Sequence, residues 1–209
     1  SMRLAGKSAI VTGGASGFGA GIAKKFVAEG ARVMIADING EAATACAREL
    51  GTGALAHTVD VADSISVAAM ADAAIEAFGR IDILVNNAGG FPPKPMLQTS
   101  AREFEAAMRF NVTTAYELSR LCAPQLAERH DGCILNISSI AGHKPTPCFA
   151  AYGTAKGALS LLTRELAQEF APRVRVNAIA VGSTRTDALN TVLRHQGVPP
   201  ARARRDSGR

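Results

Sequence analysis

Ser8-Ala9-Ile10-Val11-Thr12-Gly13-Gly14-Ala15-Ser16-Gly17-Phe18-Gly19 is the stretch on which the reading of this chain turns. Ser8 to Thr12 is a short apolar run of strand type. Glycines crowd the next seven residues, and a helical pattern then runs from Ala20 to Glu29. A strand, a glycine turn and a helix in that order let backbone approach a pyrophosphate closely, and the unpaired N–H groups and dipole of the helix favour its charge. The next strand-like run, Arg32 to Ala36, ends in Asp37, at the separation where a carboxylate accepts hydrogen bonds from ribose hydroxyls. Together the two features predict a dinucleotide-binding sheet.

Working outward, further strands are expected at 54–60, 81–86, 132–138 and 174–181, beside those at 8–12 and 32–37. Helical patterns such as Ser64 to Phe78, Ser100 to Leu126 and Phe149 to Phe170 separate them. Alternating strand and helix predicts an α/β fold with a single doubly wound parallel sheet of Rossmann type. The runs Ile81-Asp82-Ile83-Leu84-Val85 and Cys133-Ile134-Leu135-Asn136-Ile137 are largely apolar, as strands covered on both faces should be. A chain of 209 residues with 47% hydrophobic content suits one domain, expected over residues 1–193.

Tyr152 and Lys156 lie four residues apart in the expected helix, and therefore on one face. A free phenol titrates near pH 10, but an adjacent ammonium favours the phenolate, so Tyr152 is expected to titrate lower and to serve as general acid and base.

These features, in this order, resemble the short-chain dehydrogenase/reductase family from about Leu4 to Leu189. Thr12, Gly13, Gly17 and Gly19 carry its Thr-Gly-x-x-x-Gly-x-Gly turn. Asp60-Val61 is similar to its adenine-contacting pair, and Asn86-Asn87-Ala88-Gly89 to its loop after the fourth strand. Asn111 stands where the family has an active-site asparagine, and Asn136-Ile137-Ser138-Ser139 carries the serine. The resemblance implies that Ser139 holds the substrate oxygen, Tyr152 exchanges a proton with it, and Lys156 tunes the tyrosine and holds the nicotinamide ribose. Ser139 is preferred to Ser138 because it lies thirteen residues before Tyr152, the family's spacing. Asn111 is read either as positioning a water that relays protons from the lysine or as a helix-interior amide bonded to a neighbouring carbonyl.

Expected cofactor contacts, on the same footing, are Gly13, Ser16, Gly17, Phe18, Gly19, Asp37, Ile38, Asp60, Val61, Asn87, Ala88, Gly89, Tyr152, Lys156, Gly182, Thr184 and Thr186. Asp37 repels a 2′-phosphate, and neither Ser16 nor Ile38 is basic, so NAD is the expected cofactor. The implied activity is hydride transfer between nicotinamide and a secondary alcohol or ketone. A 3-oxoacyl thioester reductase using NADPH, and an NAD-binding scaffold of impaired catalysis, stand as alternatives. Gly89 to Pro95 resembles a loop of bacterial 7α-hydroxysteroid dehydrogenases, and is read either as forming, with Phe91 and Phe149, an apolar wall for a steroid-like substrate or as a proline-stiffened loop that packs on its own protein. The helices near 100–126 and 149–170 resemble the family's subunit surface, implying a homodimer or homotetramer.

Cys46, Cys122, Cys133 and Cys148 form no C-x-x-C pair and read as buried thiols of a reducing, cytoplasmic compartment. The four histidines are scattered without ligand spacing, so no metal site is expected. No apolar stretch reaches spanning length, so no membrane association is expected. Five arginines against Asp206 place +4 of the +5 net charge in residues 194–209. With no aromatic interleaving this reads as a solvated, disordered tail and not a nucleic-acid site. The resemblance leads one to expect a substrate-covering helix and a seventh strand after Leu189. Neither is legible in residues 190–209, so the sixth strand is expected at a sheet edge.

Overall fold

The structure, a computed structural model, describes residues 2–128 and 130–182. The expected tail at 194–209, with Thr184 and Thr186, lies outside the described residues. Six strands, β1 (Ser8–Thr12), β2 (Arg32–Asp37), β3 (Ala54–Thr58), β4 (Ile83–Asn86), β5 (Gly132–Ser139) and β6 (Val174–Val181), alternate with helices. The helices are α1 (Gly17–Ala28), α2 (Gly40–Leu50), α3 (Ser64–Phe78), α4 (Ala101–Met108), α5 (Thr114–Ala127) and α6 (Ala150–Phe170). The strands form one parallel sheet in the order β3-β2-β1-β4-β5-β6.

Period-two alternation divides the apolar residues between the two faces. Ile10, Met34, Leu84 and Ile134 pack with Val67, Met70, Leu118 and Leu126 of α3 and α5. Ala9, Val11, Val33, Ile35 and Val85 pack with Ala23, Ala43 and Ala47 of α1 and α2. Strand order reverses between β1 and β4, which opens a crevice beyond their carboxyl ends.

The strand bounds differ from expectation at three places, β5 running one residue further, to Ser139. β3 stops at Thr58 because Asp60 turns the chain, its Oδ1 accepting from the Ala62 N–H at 2.9 Å. β4 begins at Ile83, after the buried Asp82, whose backbone is bonded to Ser8 and Cys133 and whose carboxylate accepts the Ser8 N–H at 2.8 Å. The expected helix at 100–126 is likewise three segments: α4 and α5 are joined through a π turn, Arg109–Thr113. A capping box between Ser100 and Glu103 starts α4.

Candidate active site

The glycine turn is held in a conformation that only glycine adopts cheaply, with Gly13 at φ 59° and Gly17 at φ 53°. A side chain at Gly19 would strike the Gly13 carbonyl, so the turn closes with backbone against backbone. Thr12 and Asn87 fasten it to the loop after β4. The Thr12 hydroxyl accepts from the Asn87 and Ala88 N–H groups at 3.1 Å, and the Asn87 amide donates to the carbonyls of Thr12 and Gly13 at 2.9 and 3.0 Å.

At the start of α1, Ser16 makes no side-chain cap and the first turn carries no acidic residue. That uncapped N-terminus opens on a cleft of about 1290 Å³ lined by Gly13, Ser16, Gly17 and Phe18. Asp37 lies on the same wall with its carboxylate fixed, Oδ2 accepting from Ala15 N–H at 3.0 Å and Oδ1 from Asn39 N–H at 3.1 Å. Ile38, Asp60, Val61, Asn87, Ala88 and Gly89 continue the lining. An uncapped helix start for a pyrophosphate and an oriented carboxylate for a diol fit a dinucleotide.

Ser139, Tyr152 and Lys156 line the other end of the same cleft, and Gly182 borders it. Ser139 closes β5, where its Oγ accepts from the Ala141 N–H at 3.2 Å. Ser138 also borders the cleft, but its hydroxyl is engaged, donating to the Lys156 carbonyl at 3.0 Å and lying 2.7 Å from the Ser160 hydroxyl. Lys156 is buried, its Nζ donating to the Ile137 carbonyl at 2.8 Å and lying 5.7 Å from the Tyr152 ring centroid. Burial pushes the Lys156 ammonium down to about 8.

The expectation for the Tyr152 phenol is reversed. Desolvation raises it above its ordinary value, and a side-chain hydrogen bond with Ser139 only partly offsets the rise. An ammonium that is itself desolvated and bonded to a carbonyl does not overcome the burial of its neighbour.

Asn111 sits in the π turn, behind the cleft wall. Its Oδ1 accepts from the Gly90 N–H at 2.9 Å, and its Nδ2 donates to the carbonyls of Gly90 and Ala107 at 3.1 and 2.9 Å. The helix-interior bond to the residue four back is therefore present, together with a clamp on the loop after β4. Gly19 also stands behind the lining, as a packing residue of the turn.

Phe149 lines the cleft and Phe91 does not. The loop carrying Phe91 folds back on the segment before α6, where the Lys94 N–H donates to the Cys148 carbonyl at 2.8 Å. Cys148 is also exposed, at φ 66° between Pro147 and Phe149, contrary to the buried thiol expected there. Phe110, Ile140 and Ile179 join the apolar lining unanticipated. Phe110 and Ile140 directly follow or precede motif residues, a positional signal that was available in the sequence.

Residues 7–197 match the family described as short chain dehydrogenase. An uncharacterized oxidoreductase of Mycobacterium tuberculosis is 45% identical over 194 residues, covering 91% of this chain and 74% of the relative. A 7α-hydroxysteroid dehydrogenase of Escherichia coli is 40% identical over 196 residues, covering 92% and 76%. Among solved structures, a 7α-hydroxysteroid dehydrogenase complexed with NADH and 7-oxo glycochenodeoxycholic acid aligns with TM-score 0.87 at 39% identity, over 91% of this chain and 76% of that one. A parallel sheet with a crevice at the strand-order reversal defines a Rossmann-type fold. The chain belongs to the short-chain dehydrogenase family, whose enzymes act on CH–OH groups.

Proposed function

We propose that this chain is an NAD-dependent dehydrogenase that moves a hydride between the nicotinamide and a secondary alcohol or ketone. The observation that carries the reading is a single cleft with an uncapped helix start and the fixed Asp37 carboxylate at one end and Ser139, Tyr152 and Lys156 at the other. Bound NAD supplies the hydride acceptor, and NADH the donor. Ser139 Oγ hydrogen-bonds the substrate oxygen and fixes it beside the Tyr152 hydroxyl. Because burial raises the phenol, Tyr152 carries its proton at neutral pH and gives it to a ketone oxygen as the carbon is reduced. In the reverse direction Tyr152 takes the alcohol proton, a role that strengthens as pH rises. Lys156 holds a positive charge beneath the ring, and Asn111 holds the loop that carries Gly89 and Gly90.

Asp37 supports NAD over NADP, since its charge faces the position of a 2′-phosphate. Phe149, Ile140, Phe110 and Val181 give the substrate end an apolar lining with Lys144 at its edge. That lining and the resemblance to a hydroxysteroid dehydrogenase support a bulky, steroid-like alcohol, with an anionic end near Lys144. Exposed Phe104, Tyr116 and Leu161 on α4, α5 and α6 support association as a homodimer or homotetramer. All four cysteines are free, which supports a cytoplasmic setting, and no helix among the described residues is long and apolar enough to cross a membrane.

The test is nicotinamide absorbance with NAD and NADP in parallel against a panel of secondary alcohols, including hydroxysteroids, with Tyr152→Phe as the blank. NAD-linked turnover lost in the mutant is expected. Dinucleotide binding without turnover of any alcohol would refute the reading.

A further inference from the structure

After Ser139 the chain makes a single 3-10 turn, Ile140–Gly142, and this turn lies directly against the backbone of α6. A methyl group added at Gly142 would sit 2.5 Å from the Gly157 nitrogen, 2.6 Å from the Lys156 carbonyl carbon and 2.9 Å from its oxygen. From the helix side, a methyl group at Gly153 would lie 2.8 Å from the Ala141 oxygen, and one at Gly157 would lie 3.1 Å from the Gly142 oxygen. Three glycines on two segments thus remove the side chains that would otherwise hold a turn and a helix apart.

The same two segments are stitched on either side of this contact. Lys156 accepts at its carbonyl from Ser138 at 3.0 Å, and donates from its ammonium to Ile137 at 2.8 Å. Beyond the turn, His143 Nε2 lies 3.1 Å from the Ser160 hydroxyl. Ser139 stands at one end of this laced seam, and Tyr152 and Lys156 stand on the helix that forms its other side.

We propose that Gly142 is a positioning residue for proton transfer: its backbone contact with Lys156 and Gly157 sets the distance from the Ser139 hydroxyl to the Tyr152 phenol. The inference rests on the catalytic reading of Ser139, Tyr152 and Lys156 given above. The three atoms nearest to that methyl are all backbone, so the overlap is not relieved by a rotamer change and must move the turn away from α6. A displacement near 1 Å in a reacting constellation costs roughly a hundredfold in rate. The dinucleotide end of the cleft, built on β1, α1 and Asn87, is untouched by it.

The experiment compares the parent with Gly142→Ala, Gly157→Ala, Gly132→Ala and Tyr152→Phe. Gly132 opens β5 at the end opposite Ser139, and a methyl group there strikes the Leu126 backbone, so it reproduces a backbone clash away from the site. Three quantities are read: NADH affinity by cofactor fluorescence, kcat and KM with the best substrate of the panel above, and the ultraviolet titration of the Tyr152 phenolate. The last is isolated by subtracting the Tyr152→Phe spectrum, since the chain has only two tyrosines.

Gly142→Ala is expected to lose at least about tenfold in kcat while NADH affinity stays within about threefold. Its phenol midpoint rises as the Ser139 hydrogen bond weakens. Gly157→Ala, with the milder overlap, shows a smaller loss in kcat. Gly132→Ala melts earlier, with kcat and the phenol midpoint unchanged. If Gly142→Ala does not fold, Gly157→Ala carries the test, and an unchanged kcat there overturns the proposal. So does a folded Gly142→Ala with kcat within about twofold of the parent, or with kcat and NADH affinity falling in parallel. Turnover retained in Tyr152→Phe overturns the catalytic reading itself, and this inference with it; loss in Tyr152→Phe beside an unimpaired Gly142→Ala overturns this inference alone.

Discussion

The ammonium of Lys156 donates to the main-chain carbonyl of Ile137 at 2.8 Å, so a buried cation on α6 is anchored to β5 two residues before Ser139. The anchor orients the lysine, but one neutral acceptor does not replace the water that the charge has lost.

Stability should carry the mark of that burial. The ammonium falls from its ordinary 10.5 to about 8, so between these values the unfolded chain binds the extra proton and stability rises with pH. The cost of burying the cation is fully present below pH 8 and is released as pH climbs toward 10.5. Lys156→Met is therefore expected to be inactive yet more stable than the parent near neutrality by up to about 3 kcal/mol, less the cost of the lost Ile137 bond. Urea unfolding at neutral and at alkaline pH checks the sign, and an advantage that grows with pH would contradict it.

Asp37 is expected to govern cofactor choice. Asp37→Ser removes the acceptor proposed for the ribose diol, and with it the acceptor of the Ala15 N–H. NAD affinity should fall by about tenfold to a hundredfold, the span of one or two hydrogen bonds to a charged group. NADP affinity should rise relative to NAD. Parallel KM measurements with the two cofactors decide the point, and an unchanged ratio would remove Asp37 from this role.

A buried polar chain beneath the site is expected to carry stability. Asn86 Nδ2 donates to Asn136 Oδ1 at 2.8 Å, and Asn136 Nδ2 donates to Thr163 Oγ1 at 2.9 Å, so side chains tie β4 to β5 and β5 to α6. Asn86 Oδ1 is buried and has no partner among the described residues, which leaves the network no slack. Asn136→Ala takes one partner from Asn86 Nδ2, which keeps the Ser119 hydroxyl at 3.3 Å, and one from Thr163 Oγ1, which keeps the Leu159 carbonyl at 2.8 Å, and should cost about 1–3 kcal/mol. Thermal unfolding measures it; a loss well under 1 kcal/mol would show that water or side-chain rearrangement fills the gap.

The fold was legible because two kinds of local evidence agreed. The apolar run at Ser8–Thr12 and the glycine turn after it demanded a strand and a helix start, and β1 and α1 lie there. Bounds slipped where a side chain bonds the local backbone and turns the chain, as Asp60 does, because spacing does not reveal which hydrogen bond wins. The π turn at Arg109–Thr113 was invisible for a related reason: a single extra residue in a helical pattern barely alters its periodicity. In the site, neighbourhood was readable and burial was not. The four-residue spacing put Lys156 beside Tyr152, but desolvation, which a sequence does not display, sets the direction in which both groups shift. The seam at Gly142 went unread for the same reason, since a glycine that permits contact between distant segments looks in sequence like any other loop glycine.

The π turn also gives the rod of α4 and α5 a built-in phase change. A π turn holds one residue more than the α-helix around it, and each residue of an α-helix rotates the face by about 100°. The residues before the turn are thus set in one rotational frame, and Leu118, Cys122 and Leu126, which face the core, in another. Between the frames, Asn111 is the residue delivered to Gly90. Deleting one residue here would make the helix regular, yet it would turn the residues on one side of the deletion by about 100° against those on the other, so Asn111 and the core-facing Leu118, Cys122 and Leu126 would no longer keep their present relation. The irregular turn sets the phase between the face that meets the core and the residue that meets the loop after β4.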